Sequence, residues 1–314
     1  MDARQGIRRG AGVGVLAVAV VVALVGFGAR PTASGGSTRG KIVVVAAENE
    51  YGNLALQIGG KYVVVDSIES NPNTDPHTYE VSPGVAQAVS SAQVVIQNGV
   101  GYDDFMTKIE SASPNKKRYV IDVQHLLGLP DSTPNPHLWY NPITMPAVAD
   151  KLAADFSSID PAHSANFKGN AATFITSLHP WLEMIAKFKA TYPNTPVATT
   201  EPVADYMLEA AGTRNMTPFT LQADIMNGVD PSPQDVTTQE NLFSQHKVKV
   251  FVYNQQVTDS LTQSFITDAH NADIPVIGVY ETMPVPGYNY QSWMLAEVTA
   301  LEKAVADHVS TTRL

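Results

Sequence analysis

Two X-Pro-His triplets, Asp75-Pro76-His77 and Asn135-Pro136-His137, and two glutamates, Glu201 and Glu281, are the residues of this chain whose types and placing could do chemistry. Proline fixes its own φ and restricts the residue before it, so each triplet presents an imidazole from a stiff loop that loses little entropy on engaging a ligand. Each of the four residues follows a stretch that reads as a β-strand, and in parallel α/β sheets the ligand crevice lies outside the carboxyl ends of the strands. Two imidazoles and two carboxylates form a donor set for a divalent first-row transition metal, and the two carboxylates cancel the charge of the dication. Singly, each has a plain structural explanation: a turn for either histidine, complementation of a helix dipole for Glu201, a solvated loop for Glu281. The joint pattern, with one candidate at each of four strand ends and two from each half of the chain, is what points to a metal. His125, His163, His179, His246, His270 and His308 read as surface or turn residues.

The elements that must position these side chains follow from periodicity. Valine-rich runs at 41–47 and 62–65 and short apolar runs at 94–97, 119–122, 196–199, 248–253 and 275–279 predict buried parallel strands. Between them, helical patterns cover 51–59, 83–91, 102–110, 143–156, 200–212, 258–271 and 292–309, and another helix opens at Asp230-Pro231-Ser232-Pro233. The longest helical stretch is 160–192, where Phe167, Ala171, Phe174, Leu178, Leu182 and Ile185 recur three or four apart, with Pro180 expected to kink it. The predicted fold is therefore α/β: two Rossmann-like lobes with parallel sheets, joined by one long connecting helix, with the metal site in the cleft between them. The expected divisions are 1–40 (export segment and flexible lead), 41–158 (first lobe), 159–192 (connecting helix) and 193–314 (second lobe). One helix is a stiffer link than crossing strands, so the lobes are expected to move little.

Composition narrows the function. The chain has 314 residues, 44% of them apolar, enough for two ordinary cores. Arg4, Arg8 and Arg9 lead into a small and apolar run at 11–27, followed by Pro, Ser, Gly and Thr. This is the form of an export signal, with cleavage expected between 28 and 34 and an uncleaved anchor as the alternative. Setting aside Arg4, Arg8, Arg9, Arg30, Arg39 and Asp2 from the 20 basic and 30 acidic residues leaves 15 and 29, net −14. Such a surface repels nucleic acid and tolerates cations. There is no cysteine, which excludes disulfides, thiolate ligands, a cysteine nucleophile and a lipoprotein anchor. No H-E-x-x-H pair, dinucleotide fingerprint, phosphate loop or G-x-S-x-G elbow is present, so nothing marks an enzyme.

The motifs Asp75-Pro76-His77-Thr78-Tyr79-Glu80, Val95-Ile96-Gln97-Asn98-Gly99-Val100-Gly101-Tyr102, Asn135-Pro136-His137-Leu138-Trp139-Tyr140-Asn141-Pro142, Asp160-Pro161, Asp230-Pro231-Ser232-Pro233 and His246-Lys247-Val248-Lys249-Val250-Phe251-Val252 together resemble one family. It is the metal-specific solute-binding proteins of ABC transporters that serve zinc, manganese and iron(II) uptake, and the resemblance covers nearly the whole exported chain. It implies two α/β lobes spanned by one helix. It also implies a metal held by His77, His137, Glu201 and Glu281 as cargo, and a monomer that delivers Mn²⁺, Zn²⁺ or Fe²⁺ to a membrane permease driven by a cytoplasmic ATPase. The chain departs from the family pattern in carrying Glu281 where Asp is usual, and in lacking both the His-rich loop of many zinc importers and the lipobox cysteine. Glu201 and the missing His-rich loop lean toward manganese, while monodentate carboxylates would suit tetrahedral zinc. The competing readings are an extracellular metallohydrolase, which would need an open coordination position and a general base beside it, and a surface adhesin.

Overall fold

The protein is described by a computed structural model covering residues 40–314; the export segment, with the cleavage or anchoring expected of it, lies outside the described residues. The first lobe contains β1 (Ile42–Glu48), β2 (Val63–Glu69), β3 (Val94–Gln97) and β4 (Tyr119–Asp122), with helices α1 (Asn49–Gly59), α2 (Pro83–Ser91), α3 (Asp104–Ala112), α4 (Val123–Leu126) and α5 (Thr144–Ile159). The connection is α6 (Ser164–Ser177) followed by α7 (His179–Thr191). The second lobe contains β5 (Pro196–Thr199), β6 (Arg214–Asn215), β7 (Val250–Asn254) and β8 (Val276–Val279), with α8 (Asp205–Ala210), α9 (Phe219–Met226), α10 (Pro233–Ser244), α11 (Ser260–Asn271) and α12 (Tyr290–Asp307). Each lobe is a four-stranded, all-parallel sheet, in the orders β2-β1-β3-β4 and β6-β5-β7-β8. The β-branched runs make this possible, because strands covered by helices on both faces must be apolar on both. Val44, Val45, Val94, Val95, Val250 and Phe251 are accordingly buried.

In both sheets the chain leaves the first strand to one side and returns to the other, which opens the crevice between β1 and β3 and again between β5 and β7. Of the candidate residues, Glu201 emerges at the second crevice, from β5, while His77 lies beyond β2, His137 beyond β4 and Glu281 beyond β8. Three expectations are corrected. β2 runs on to Glu69, pairing Glu48 with Glu69, so His77 is carried by the loop beyond it and not by the strand exit itself. The helix expected over 200–212 begins only at Asp205, because Thr200 still donates to the Val252 carbonyl (3.0 Å) as part of the sheet and 201–204 form the turn. β6 and α9 were not anticipated; a two-residue Arg-Asn strand carries no apolar signal.

The connecting helix is broken where Pro180 predicts. Leu178 ends α6 and starts α7, and Pro180 falls in the first turn of α7, where a missing amide hydrogen costs nothing. The buried stripe reads Phe167, Ala171, Phe174, Leu178, Trp181, Ile185 and Phe188. Trp181 takes the core position expected of Leu182, which is only half-buried. One apolar core runs from β1 through the connection into α12, so both lobes share it.

Polar bridges reinforce that interface. Asn49 exchanges two hydrogen bonds with the Met283 backbone (2.9 and 3.0 Å), and Tyr290 Oη donates to the Trp139 carbonyl (2.5 Å). The Tyr140 hydroxyl lies 2.7 Å from both the Tyr280 carbonyl and Glu297 Oε2. A hydroxyl has one proton, so both contacts are satisfied together when Glu297 is protonated and donates to Tyr140. Burial drives this, pushing Glu297 from its ordinary 4.5 up to about 8 against the lowering effect of Tyr140, Trp293 and the Tyr280 amide. A carboxyl raised on folding stabilises fully below its unfolded value and loses that contribution as pH rises through the folded one. The metal-free protein should therefore lose about 1.4 kcal/mol per pH unit from this group between about 4.5 and 8. Glu297→Gln keeps the shape and a donor, so denaturant unfolding at pH 5 and pH 8 should show a flatter dependence than wild type; equal slopes would exclude a protonated Glu297.

Candidate metal centre

His77 sits on a single 3₁₀ turn, Pro76–Thr78, whose start is fixed by the Asp75 carboxylate accepting from the His77 amide (2.8 Å). His137 precedes another such turn, Leu138–Tyr140, and its loop is held by Asn98 Nδ2, which donates to the Pro136 carbonyl (2.8 Å) from the end of β3. Glu201 follows β5, and Glu281 follows β8, with its amide donating to Gln256 Oε1 (2.7 Å). His137, Glu201 and Glu281 are buried, while the His77 side chain keeps 21% of its exposure.

The structure brings together His77, His137 and Glu281, whose ligand atoms lie within 4.8 Å of one another; among the described residues no other group of three such side chains does so. Glu281 Oε2 is 3.2 Å from Nε2 of both histidines and accepts from Tyr102 Oη at 2.9 Å. Glu201 stands outside that triad but is tied to it: Asn254 Nδ2 donates to Glu201 Oε1 (3.2 Å) and to Glu281 Oε1 (2.5 Å). The other oxygen of Glu201, Oε2, is buried without a hydrogen-bond partner.

The hydrogen-bond network assigns the tautomer of His137. Asn135 Nδ2 donates to the Pro202 carbonyl (2.8 Å), so Asn135 Oδ1 is the atom facing His137, and it accepts from both the His137 amide (3.0 Å) and Nδ1 (2.8 Å). Nδ1 therefore carries the proton, and Nε2 of the neutral ring offers a lone pair to Glu281 Oε2. Burial pushes His137 below its ordinary value despite the opposing pull of Glu281, so the ring is held neutral. Two acceptors 3.2 Å apart in a buried cleft are favourable only around a cation or a shared proton.

Electrostatics single out Glu281 as the charged carboxylate. Burial pushes it up, but the facing imidazoles outweigh that and hold it well below the usual carboxylate range; with His137 presenting a lone pair, His77 is the ring that can donate to it. His77 is shifted the matching way: burial lowers it, and the contact and charge of Glu281 raise it by more, favouring its protonated form. Burial, then repulsion from Glu281, pushes Glu201 well up. Glu48, Glu50 and Glu69 nearby are pushed up likewise by burial, Glu69 to about 9 with added repulsion from Asp103. Negative charge is thus concentrated at the oxygen that both histidines face.

Sequence reasoning passed over the residues that orient the four candidates: Asn98, Tyr102, Asn135, Asn254 and Gln256. Asn254 ends β7 and met the same strand-end criterion that selected the others. It was overlooked because an amide is a poor metal ligand, although it is a strong orienter of ligands. Of the six remaining histidines, five are exposed and His163 is half-buried, stacked on Tyr62.

Residues 44–304 match the family described as zinc-uptake complex component A, periplasmic (ZnuA). The chain is 28% identical over 168 residues to the manganese-binding lipoprotein MntA of Bacillus subtilis (strain 168), covering 51% of this chain and 54% of that protein. It is 27% identical over 175 residues to the metal ABC transporter substrate-binding lipoprotein ScbA of Streptococcus cristatus, covering 51% and 56%. The chain therefore spans little more than half the length of these two relatives. A longer match, 21% identical over 232 residues, covers 71% of this chain and 72% of the iron-binding protein YfeA of Yersinia pestis. Among solved structures, the fold is similar to that of the Mn-bound periplasmic metal binding protein from Candidatus Liberibacter asiaticus (TM-score 0.69, 18% identity, 84% of this chain and 100% of that one). It is also similar to FpvC from Pseudomonas aeruginosa in complex with Mn²⁺ (TM-score 0.70, 18% identity, 85% and 99%). Because the family match runs from β1 into α12 and takes in both sheets and all four candidate ligands, the chain belongs to the zinc-uptake complex component A family of periplasmic proteins.

Proposed function

We propose that this protein is an exported receptor that captures one divalent transition metal, Zn²⁺, Mn²⁺ or Fe²⁺, between its lobes and delivers it to an ABC permease driven by a cytoplasmic ATPase. His77, His137, Glu201 and Glu281 are the proposed ligands, and 41–158 and 193–314 the lobes that supply two each across the connection 159–192. The observation that carries the reading is the His137 Nε2 lone pair facing the ionised Glu281 oxygen in a buried cleft. A metal cargo binds there by inserting between atoms that otherwise repel. The names of the relatives, manganese-binding, iron-binding and metal ABC transporter substrate-binding, support a metal of this class. The acidic surface and the cleft between two lobes of one chain support a monomer with no nucleic-acid partner. Export rests on the leader; among the described residues no helix is long and apolar enough to cross a membrane.

The test is elemental analysis of protein purified without added metal or chelator, followed by calorimetric titration of the stripped protein with Zn²⁺ and Mn²⁺. Near one equivalent of a single metal and a 1:1 isotherm are expected. Stripped protein that takes up neither ion would overturn the reading.

A further inference from the structure

Asn254 is buried, and every polar atom of it that the cleft requires is committed. Its amide nitrogen donates to Thr200 Oγ1 (3.0 Å), and its Oδ1 accepts from the Gln256 amide (3.0 Å). The second contact fixes the side-chain amide, so that Nδ2 and both its protons must face the carboxylates, where they meet Oε1 of Glu281 and Oε1 of Glu201. One oxygen of each carboxylate is thereby held by Asn254; the others are Glu281 Oε2, beside both imidazoles and accepting from Tyr102 Oη (2.9 Å), and Glu201 Oε2, buried without a partner.

We propose that Asn254 is a positioning residue that restricts both carboxylates to single-oxygen ligation, making the centre a four-donor site that selects zinc over manganese more strongly than its ligand types alone would. The inference rests on the metal-receptor reading above and refines its cargo. Zn²⁺ is satisfied by four nitrogen and oxygen donors in a tetrahedron. Mn²⁺ favours six, which these four side chains reach without added water only if both carboxylates bind through both oxygens. That would make each Oε1 turn toward the metal while Asn254, fixed by Gln256, holds it in place, so the two contacts compete for its direction and Mn²⁺ carries a strain that Zn²⁺ does not incur.

The experiment uses stripped protein loaded with Zn²⁺, Mn²⁺ or Co²⁺, comparing wild type with Asn254→Leu and Asn254→Ser. Zinc exceeds manganese at almost any site of this kind, so the readout is the change in their affinity ratio by competitive titration. The ratio should fall roughly tenfold or more in the variants, mainly through tighter Mn²⁺ binding. Co²⁺-loaded wild type should show the intense visible absorption of a four-coordinate ion, weakened in the variants. A weak, six-coordinate cobalt spectrum for wild type would overturn the proposal whether or not either variant folds. An unchanged ratio and spectrum in a folded variant would overturn it too. Wild type that binds none of the three ions would instead overturn the receptor reading on which the proposal depends.

Discussion

His137→Ala should lower the affinity for Zn²⁺ or Mn²⁺ at least a thousandfold, about 4 kcal/mol, as read by titration against a competing chelator. The size of the effect follows from the position. His137 is fully buried, its Nδ1 proton is committed to Asn135, and its Nε2 lone pair is delivered to the cleft without any rearrangement. Removing it takes away one of the four proposed donors and leaves Glu281 with a single imidazole neighbour. It also leaves Asn135 Oδ1 with one donor in place of two, so the metal-free protein should lose roughly 1–3 kcal/mol of stability. Circular dichroism separates this from unfolding. His125→Ala is the control, since that side chain is 76% exposed and pairs only with Asp122; its affinity should match wild type. Retained affinity in a folded His137→Ala protein would remove His137 from the ligand set.

Loading the stripped protein with its metal should raise the melting temperature by roughly 10 °C. A ligand bound only to the folded state at a free concentration about a thousand times its Kd stabilises by about 4 kcal/mol, and a chain of this size gains roughly 2–4 °C per kcal/mol. The structural reason is the concentration of acceptors at the cleft. Burial and then the charge of Glu281 make ionising Glu201 costly, and the Glu201 Oε2 atom has been taken from water with nothing to replace it. A dication bound there would give Glu201 Oε2 the partner it lacks and relieve the facing acceptors of His137 and Glu281. Thermal melts in EDTA, Zn²⁺ and Mn²⁺ measure this directly, and identical curves in all three would mean that the cluster is structural.

What the amino-acid sequence determined by itself is the architecture and the candidates. Valine runs such as 42–45 can be satisfied only in a strand covered on both faces, and the three-and-four spacing from Phe167 to Ile185 only on a buried helical face, so both patterns appear without reference to the rest of the chain. Pro180 acts locally as well, and the break at Leu178 follows from it. The histidines were legible because proline marks their loops, and the glutamates because they follow strands. The sequence could not show which way the carboxylates turn. That depends on Asn254, 53 residues from Glu201 and 27 from Glu281, and on Tyr102, 179 residues from Glu281. Nor could it show that His137 is a bare lone pair, since its tautomer is set by Asn135, whose own orientation is set by the Pro202 carbonyl in the opposite lobe. Hydrogen-bond direction and desolvation arise only when distant segments meet. The candidate donor types are therefore written in the chain, but their protonation, their hydrogen-bond partners and the charge gathered at the cluster are decided by the tertiary structure.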